Sequence, residues 1–216
     1  MKKFIPAALL VAVLCSAQLF AIVYANHSCI IYDACPPDGE SIKSGNSLIN
    51  TLIIDGAGYF LKSNSNYIML LNGVEVSELY GADTPQWQTA FYGAWENMEK
   101  ASATYEALIS TARETPYNPA VLEKLTTFDF KTFVKAKKLN TAIFSRIEGF
   151  LKKGNVTGVY VLLKSDMDNI LLRLKSLKAV IDAGGTPGIS QLLELNQVYC
   201  YSMLTGQYLS QVFKAI

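Results

Sequence analysis

Histidine is almost missing from this chain: among 216 residues only His27 carries an imidazole. General acid–base catalysis, nucleophile triads and catalytic zinc usually draw on histidine, so its scarcity argues against those enzyme classes. Helical proteins that hold two irons use Glu-x-x-His pairs on facing helices, and none is present. The Cys-x-x-Cys-His of covalent haem attachment is also absent. Charge is sparse as well: Asp, Glu, Lys and Arg make up 17% of the chain, and the formal net charge is +1. A near-neutral chain without a basic block argues against nucleic acid or an anionic membrane surface as the main partner, although net charge alone leaves a local patch open.

The first residues read as an export signal. Met1, Lys2 and Lys3 precede an almost unbroken apolar run from Phe4 to Ala25, the positive start and apolar middle that export machinery recognises. Val23 and Ala25 favour cleavage before Asn26, and Cys15 with Ala17 offers an earlier cut before Gln18. The run is also long enough to span a bilayer if it is retained. Leu14 is a poor residue before Cys15 for a lipoprotein. Loss of Lys2 and Lys3 takes the 19 basic residues to 17, against 18 acidic ones. The expected organisation is a signal over 1–25, a Cys- and Pro-containing leader over 26–45 and a helical domain over 46–216.

Export implies an oxidising compartment. Of the cysteines left, Cys29 and Cys35 are expected to bridge each other across a short loop that runs into Pro36 and Pro37. A bridge from either one to Cys200 is the alternative. His27, Cys29 and Cys35 have the right atoms for a metal, but two thiols in an oxidising compartment bond to each other more readily, so no metal and no cofactor is assigned.

What the chain does contain is apolar periodicity. Trp87, Phe91, Ala94, Met98, Ala101, Tyr105, Leu108 and Ala112 form one ladder, and Tyr160, Leu163, Met167, Ile170, Leu174, Leu177 and Ile181 form a second. Alternating steps of three and four residues put each set on one stripe of a helix, where another helix can pack. The fold class is therefore all-α, an antiparallel helical bundle of four to six helices.

Punctuation sets the expected boundaries. Ile49, Ile53, Gly56, Phe60, Ser63, Tyr67, Leu70 and Val74 thread a helix between Gly45 and Tyr80. Asn72-Gly73 raises a competing hairpin over Tyr67 to Leu79, which lacks a third strand to pair with. Thr84-Pro85, Asn118-Pro119 and Thr186-Pro187 each pair a capping side chain with a proline suited to the first helical position. They predict helices from Pro85 to Arg113, from Pro119 to Leu125 and from Pro187 toward the C-terminus. A further helix is expected from Thr127 or Asp129 to Lys153, with Leu139, Ile143, Ile147 and Phe150 inward and Gly154 as its stop. Asn155 then caps a long helix to Ala183, and Gly184-Gly185 ends it.

Chemistry-bearing residues are few. Glu96, Glu99 and Glu106 fall between ladder positions and read as a solvated face. Asp166 and Asp168 resemble the opening of a calcium loop but lack its glycine. The Gly184 to Gly188 stretch lacks the Lys-Ser/Thr ending of a phosphate loop. Tyrosine is common, at 12 residues. Tyr92, Tyr105, Tyr199, Tyr201 and Tyr208, all on expected helices, are the candidate ligand- or partner-binding residues, because an amphipathic ring suits both partner surfaces and clefts. The reading is a non-enzymatic, exported binding, scaffolding or envelope-associated module in the periplasm or outside the cell. The alternative is a membrane-anchored sensory or ligand-binding ectodomain. Its partner is expected to be a protein or a small apolar ligand, not nucleic acid. A membrane is involved only if the N-terminal segment is retained, and oligomerisation is allowed.

Overall fold

A computed structural model describes residues 44–80, 86–115 and 117–216. The signal and nearly all of the leader, with His27, Cys29 and Cys35, lie outside the described residues. Those described are all-helical, with seven helices and no strand: α1 Ser47–Tyr80, α2 Gln86–Glu114, α3 Pro119–Thr127, α4 Phe130–Ala136, α5 Thr141–Leu151, α6 Val156–Asp182 and α7 Ile189–Ala215. No helix among them is long and apolar enough to cross a membrane.

Every ladder residue is buried. The Trp87 stripe of α2 and the Tyr160 stripe of α6 are fully enclosed, and each leucine or isoleucine so buried contributes about 1.5–3 kcal/mol. The apolar thread on α1 is enclosed as well. Asn72-Gly73 lies inside α1 and makes no hairpin turn. A Cβ on Gly73 would stand 2.7 Å from the Trp87 Cβ, so this glycine admits a neighbouring helix.

The four long helices pack in a bundle-like cycle. α1 lies on α2 and α7, and α6 lies on α2 and α7. Direction follows from the contacts. Gly56 of α1 meets Tyr105 of α2 and Gly73 meets Trp87; Ser63 of α1 meets Tyr199 of α7 and Tyr67 meets Leu192; Ser102 of α2 donates to Asp168 of α6 while Tyr92 reaches Asp182. Higher numbers on one helix meet lower numbers on the next, so neighbours run antiparallel. α5 packs on α6 and α7 from outside this group, and α4 packs on α5.

The described residues hold seven helices where four to six were expected, and two boundaries differ as well. The helix expected to run unbroken to Lys153 is two helices, α4 and α5. Lys138 takes a left-handed conformation at φ 53°, with Leu139 N–H bonding the Val134 carbonyl and Lys138 N–H the Lys135 carbonyl. Those paired bonds are the helix-ending pattern that usually uses glycine. Asn140 then restarts the chain, its side chain accepting from Ala142 and Ile143 N–H. The second difference is the start of α7. Gly188, not Thr186, occupies its cap position, without a side-chain bond, and Pro187 is buried just before it.

Candidate functional site

The tyrosines divide by burial. Tyr199 of α7 is fully buried and stacks on Tyr67 of α1 at 4.7 Å between ring centres. Ser63 gives its single hydroxyl proton to the Ala94 carbonyl at 2.7 Å, which makes Tyr199 the donor in the 2.8 Å bond between them. Tyr67 donates to the Leu192 carbonyl. Burial raises the pKa of both hydroxyls, because desolvation disfavours the phenolate. Tyr105 is buried against Gly56 of α1, where an added Cβ would meet its ring at 2.7 Å. Tyr208 is buried too and accepts from the Asn140 N–H at 3.0 Å. The expected binding residues Tyr105, Tyr199 and Tyr208 are therefore part of the packing between helices.

Tyr92 and Tyr201 remain exposed, at 43% and 51%. Tyr92 donates to Asp182 at 2.7 Å, with the Lys178 ammonium 5.7 Å from its ring centre. The hydrogen bond to Asp182 holds its proton and raises its pKa. Tyr92 thus already has partners in the α2–α6 seam.

Tyr201 borders a groove of about 340 Å³ between α5, α6 and α7, lined by Asn140, Ile143, Arg146, Asp166, Asn169 and Val198. Arg146 reaches both Asp166 oxygens from one nitrogen at 2.6 and 2.8 Å, and donates from another to the Thr205 hydroxyl at 3.1 Å. Thr205 passes its proton to the Tyr201 carbonyl at 2.7 Å. The Asp166 side chain is only 15% exposed. Its position follows from α6: Asp166 sits one residue before the buried Met167, on the flank that α5 covers. Sequence reasoning set Asp166 aside as a failed calcium ligand. Its partner Arg146 lies on another helix, and no local spacing signals the pair.

The groove offers recognition more readily than bond chemistry. Asp166 is held by a guanidinium, and Glu96, Glu99 and Glu106 are exposed on α2, away from this groove. Among the described residues no three His, Cys, Asp or Glu side chains gather as metal ligands. Asn140 Oδ1 is taken by its capping bonds, and Asn169 Oδ1 accepts from Arg173 at 3.3 Å. Cys200, the one described cysteine, is half-buried on α7.

Comparison with known protein families, curated proteins and solved structures finds no match to this chain.

Proposed function

We propose that this chain is an exported helical-bundle protein that acts without catalysis, as a binding module, through the groove beside Tyr201. The observation that carries the reading is the half-exposed Tyr201 ring beside a mutually neutralised Arg146–Asp166 pair. An aromatic platform next to satisfied polar groups favours a compact ligand with one apolar face and hydroxyl or carbonyl groups at its edge. Because the ion pair cancels its own charge, the favoured ligand is uncharged. The amide Nδ2 groups of Asn140 and Asn169 supply edge donors, and Ile143 and Val198 the apolar wall. A neutral sugar ring has this chemistry. The purely apolar ligand expected from composition suits these polar walls less well.

Titration with a panel of neutral mono- and disaccharides, followed by intrinsic fluorescence and calorimetry, tests the reading. The wild type should bind at least one saturably, and Tyr201→Ala should weaken it about tenfold, the loss of one ring contact. Tyr201 is exposed, so the variant should keep its helical circular dichroism. Absence of saturable binding across the panel, or binding unaffected by Tyr201→Ala, rejects the groove. Export rests on Lys2, Lys3 and the apolar run from Phe4 to Ala25. Mass spectrometry of the mature N-terminus tests it: a start at Asn26 supports a released protein, and an intact Met1 favours the anchored ectodomain.

A further inference from the structure

Overall neutrality hides a separation of charge. Residues 47–123 carry three basic and nine acidic side chains, whereas residues 124–153 carry seven lysines and one arginine against Asp129 and Glu148. Seven of those nine acids lie on α1 and α2, which pack on each other and on α7 and α6, whereas α4 packs on α5 and α5 on α6 and α7. The densest part of the basic side is α4 and the turn after it. Lys131, Lys135, Lys137 and Lys138 are all exposed.

The two acids of this region are already committed. Asp129 caps α4 by accepting from the Thr132 N–H at 3.1 Å, and Glu148 pairs with Lys152 at 2.7 Å. Lys131 and Lys135, four residues apart on α4, lie within a Debye length of about 8 Å, and Lys137 and Lys138 follow directly in the turn, so their potentials add.

The character of the patch selects its partner. Its exposed cations are lysines, compact point charges without the planar fork that arginine uses for paired recognition of a single phosphate. Its rings are turned inward: Phe130, Phe133 and Phe144 are buried and Phe128 is half-buried against Phe130 and Phe133. That leaves no platform for stacking nucleic-acid bases. None of the exposed large apolar residues lies in this stretch, so neither a protein hot spot nor an inserting wedge is present. A diffuse, planar anionic surface matches such a patch. We propose that the α4 corner of this protein adsorbs electrostatically to an anionic phospholipid bilayer, with the acidic α1–α2 side turned away from the lipid. Adsorption leaves the Tyr201 groove uninvolved and does not depend on its ligand.

Sedimentation of the full chain with vesicles tests this, with neutral phosphatidylcholine as baseline and vesicles about one-third phosphatidylglycerol as target. The expected result is a preference for the anionic vesicles that shrinks as salt rises. A Lys135→Gln, Lys137→Gln, Lys138→Gln variant should lose about a hundredfold of that preference, roughly fivefold per lysine. Any preference conferred by Lys2, Lys3 and the apolar N-terminal run is common to wild type and variant and cancels between them, and unchanged circular dichroism of the variant shows that the helices persist. Equal binding to both vesicle types overturns the proposal, as does a preference that the triple variant keeps. A salt-sensitive dimer without lipid preference also overturns it, and would assign the patch to the acidic helices of a second copy.

Discussion

Five tyrosine hydroxyls, those of Tyr67, Tyr105, Tyr117, Tyr160 and Tyr199, have their pKa raised by burial, and Tyr117 is pushed up to about 12. Tyr117 and Tyr160 share a 3.0 Å bond between their hydroxyls. An acid whose folded pKa lies above its unfolded value of 10.0 keeps its proton in the native state while the unfolded chain loses it. Stability is therefore unaffected by these groups below pH 10 and falls as pH rises past it. The slope approaches about 1.4 kcal/mol per pH unit for each tyrosine. Denaturant titrations between pH 9 and 12 should show stability dropping steeply from about pH 10, with tyrosinate absorbance rising in the same transition as helix loss. Titration of these rings in a chain that stays folded would contradict it. Close approach is the other residue-scale constraint. At Gly56, an added Cβ would meet the Tyr105 ring at 2.7 and 2.8 Å, so Gly56→Ala should destabilise by about 1–3 kcal/mol through overpacking. A mid-helix Gly→Ala change otherwise stabilises by about 0.5–1 kcal/mol, and Gly58→Ala, which meets nothing within 4 Å, is the matched control.

At the scale of elements, the break between α4 and α5 gives two opposed predictions. Lys138 carries a side chain in the left-handed region, a conformation that costs a non-glycine residue roughly 1–2 kcal/mol. Lys138→Gly should raise stability by about 0.5–1 kcal/mol, after allowing for glycine's greater freedom in the unfolded chain. Asn140→Ala removes the acceptor of the Ala142 and Ile143 N–H groups and should lower stability by about 1 kcal/mol. Chemical denaturation of the two variants checks both signs. This break also shows where the sequence stops being legible. At Gly154 and Gly184 the left-handed residue is glycine, and both ends were readable because glycine advertises them. At Lys138 the same backbone pattern is carried by an ordinary residue, so apolar spacing read through the turn as one helix. Long stripes on α2 and α6 were readable because every member faces inward. Tyrosine exposure was not, since a ring with a polar tip satisfies the same pattern whether its hydroxyl meets water or Ser63. The Arg146–Asp166 pair was invisible for a related reason: two lone charges on different helices declare nothing until packing joins them.

Across the whole molecule, cohesion is uneven. α1, α2, α6 and α7 each pack on two of the others, with α1 against α2 the most extensive pairing. α4 has seven residues and leans chiefly on α5. Its anchorage is a phenylalanine cluster in which Phe130 and Phe133 lie 5.9 and 6.4 Å from Phe144, and Phe144 in turn reaches Tyr208 of α7 at 6.3 Å. Short helices resting on one neighbour open at lower free energy than helices enclosed by several. Native-state hydrogen exchange should therefore show two classes of amide. Those in the middle of α2 and α6 should exchange only through global unfolding, with a steep dependence on denaturant. Those of α4 should exchange through a smaller opening that depends weakly on denaturant, because detaching one short helix exposes little surface. Phe144→Leu should widen the gap, since it removes the ring that joins α4 to α7 while leaving the four long helices intact. If α4 amides instead follow the global transition in both proteins, the cluster binds this corner into the same cooperative unit as the long helices.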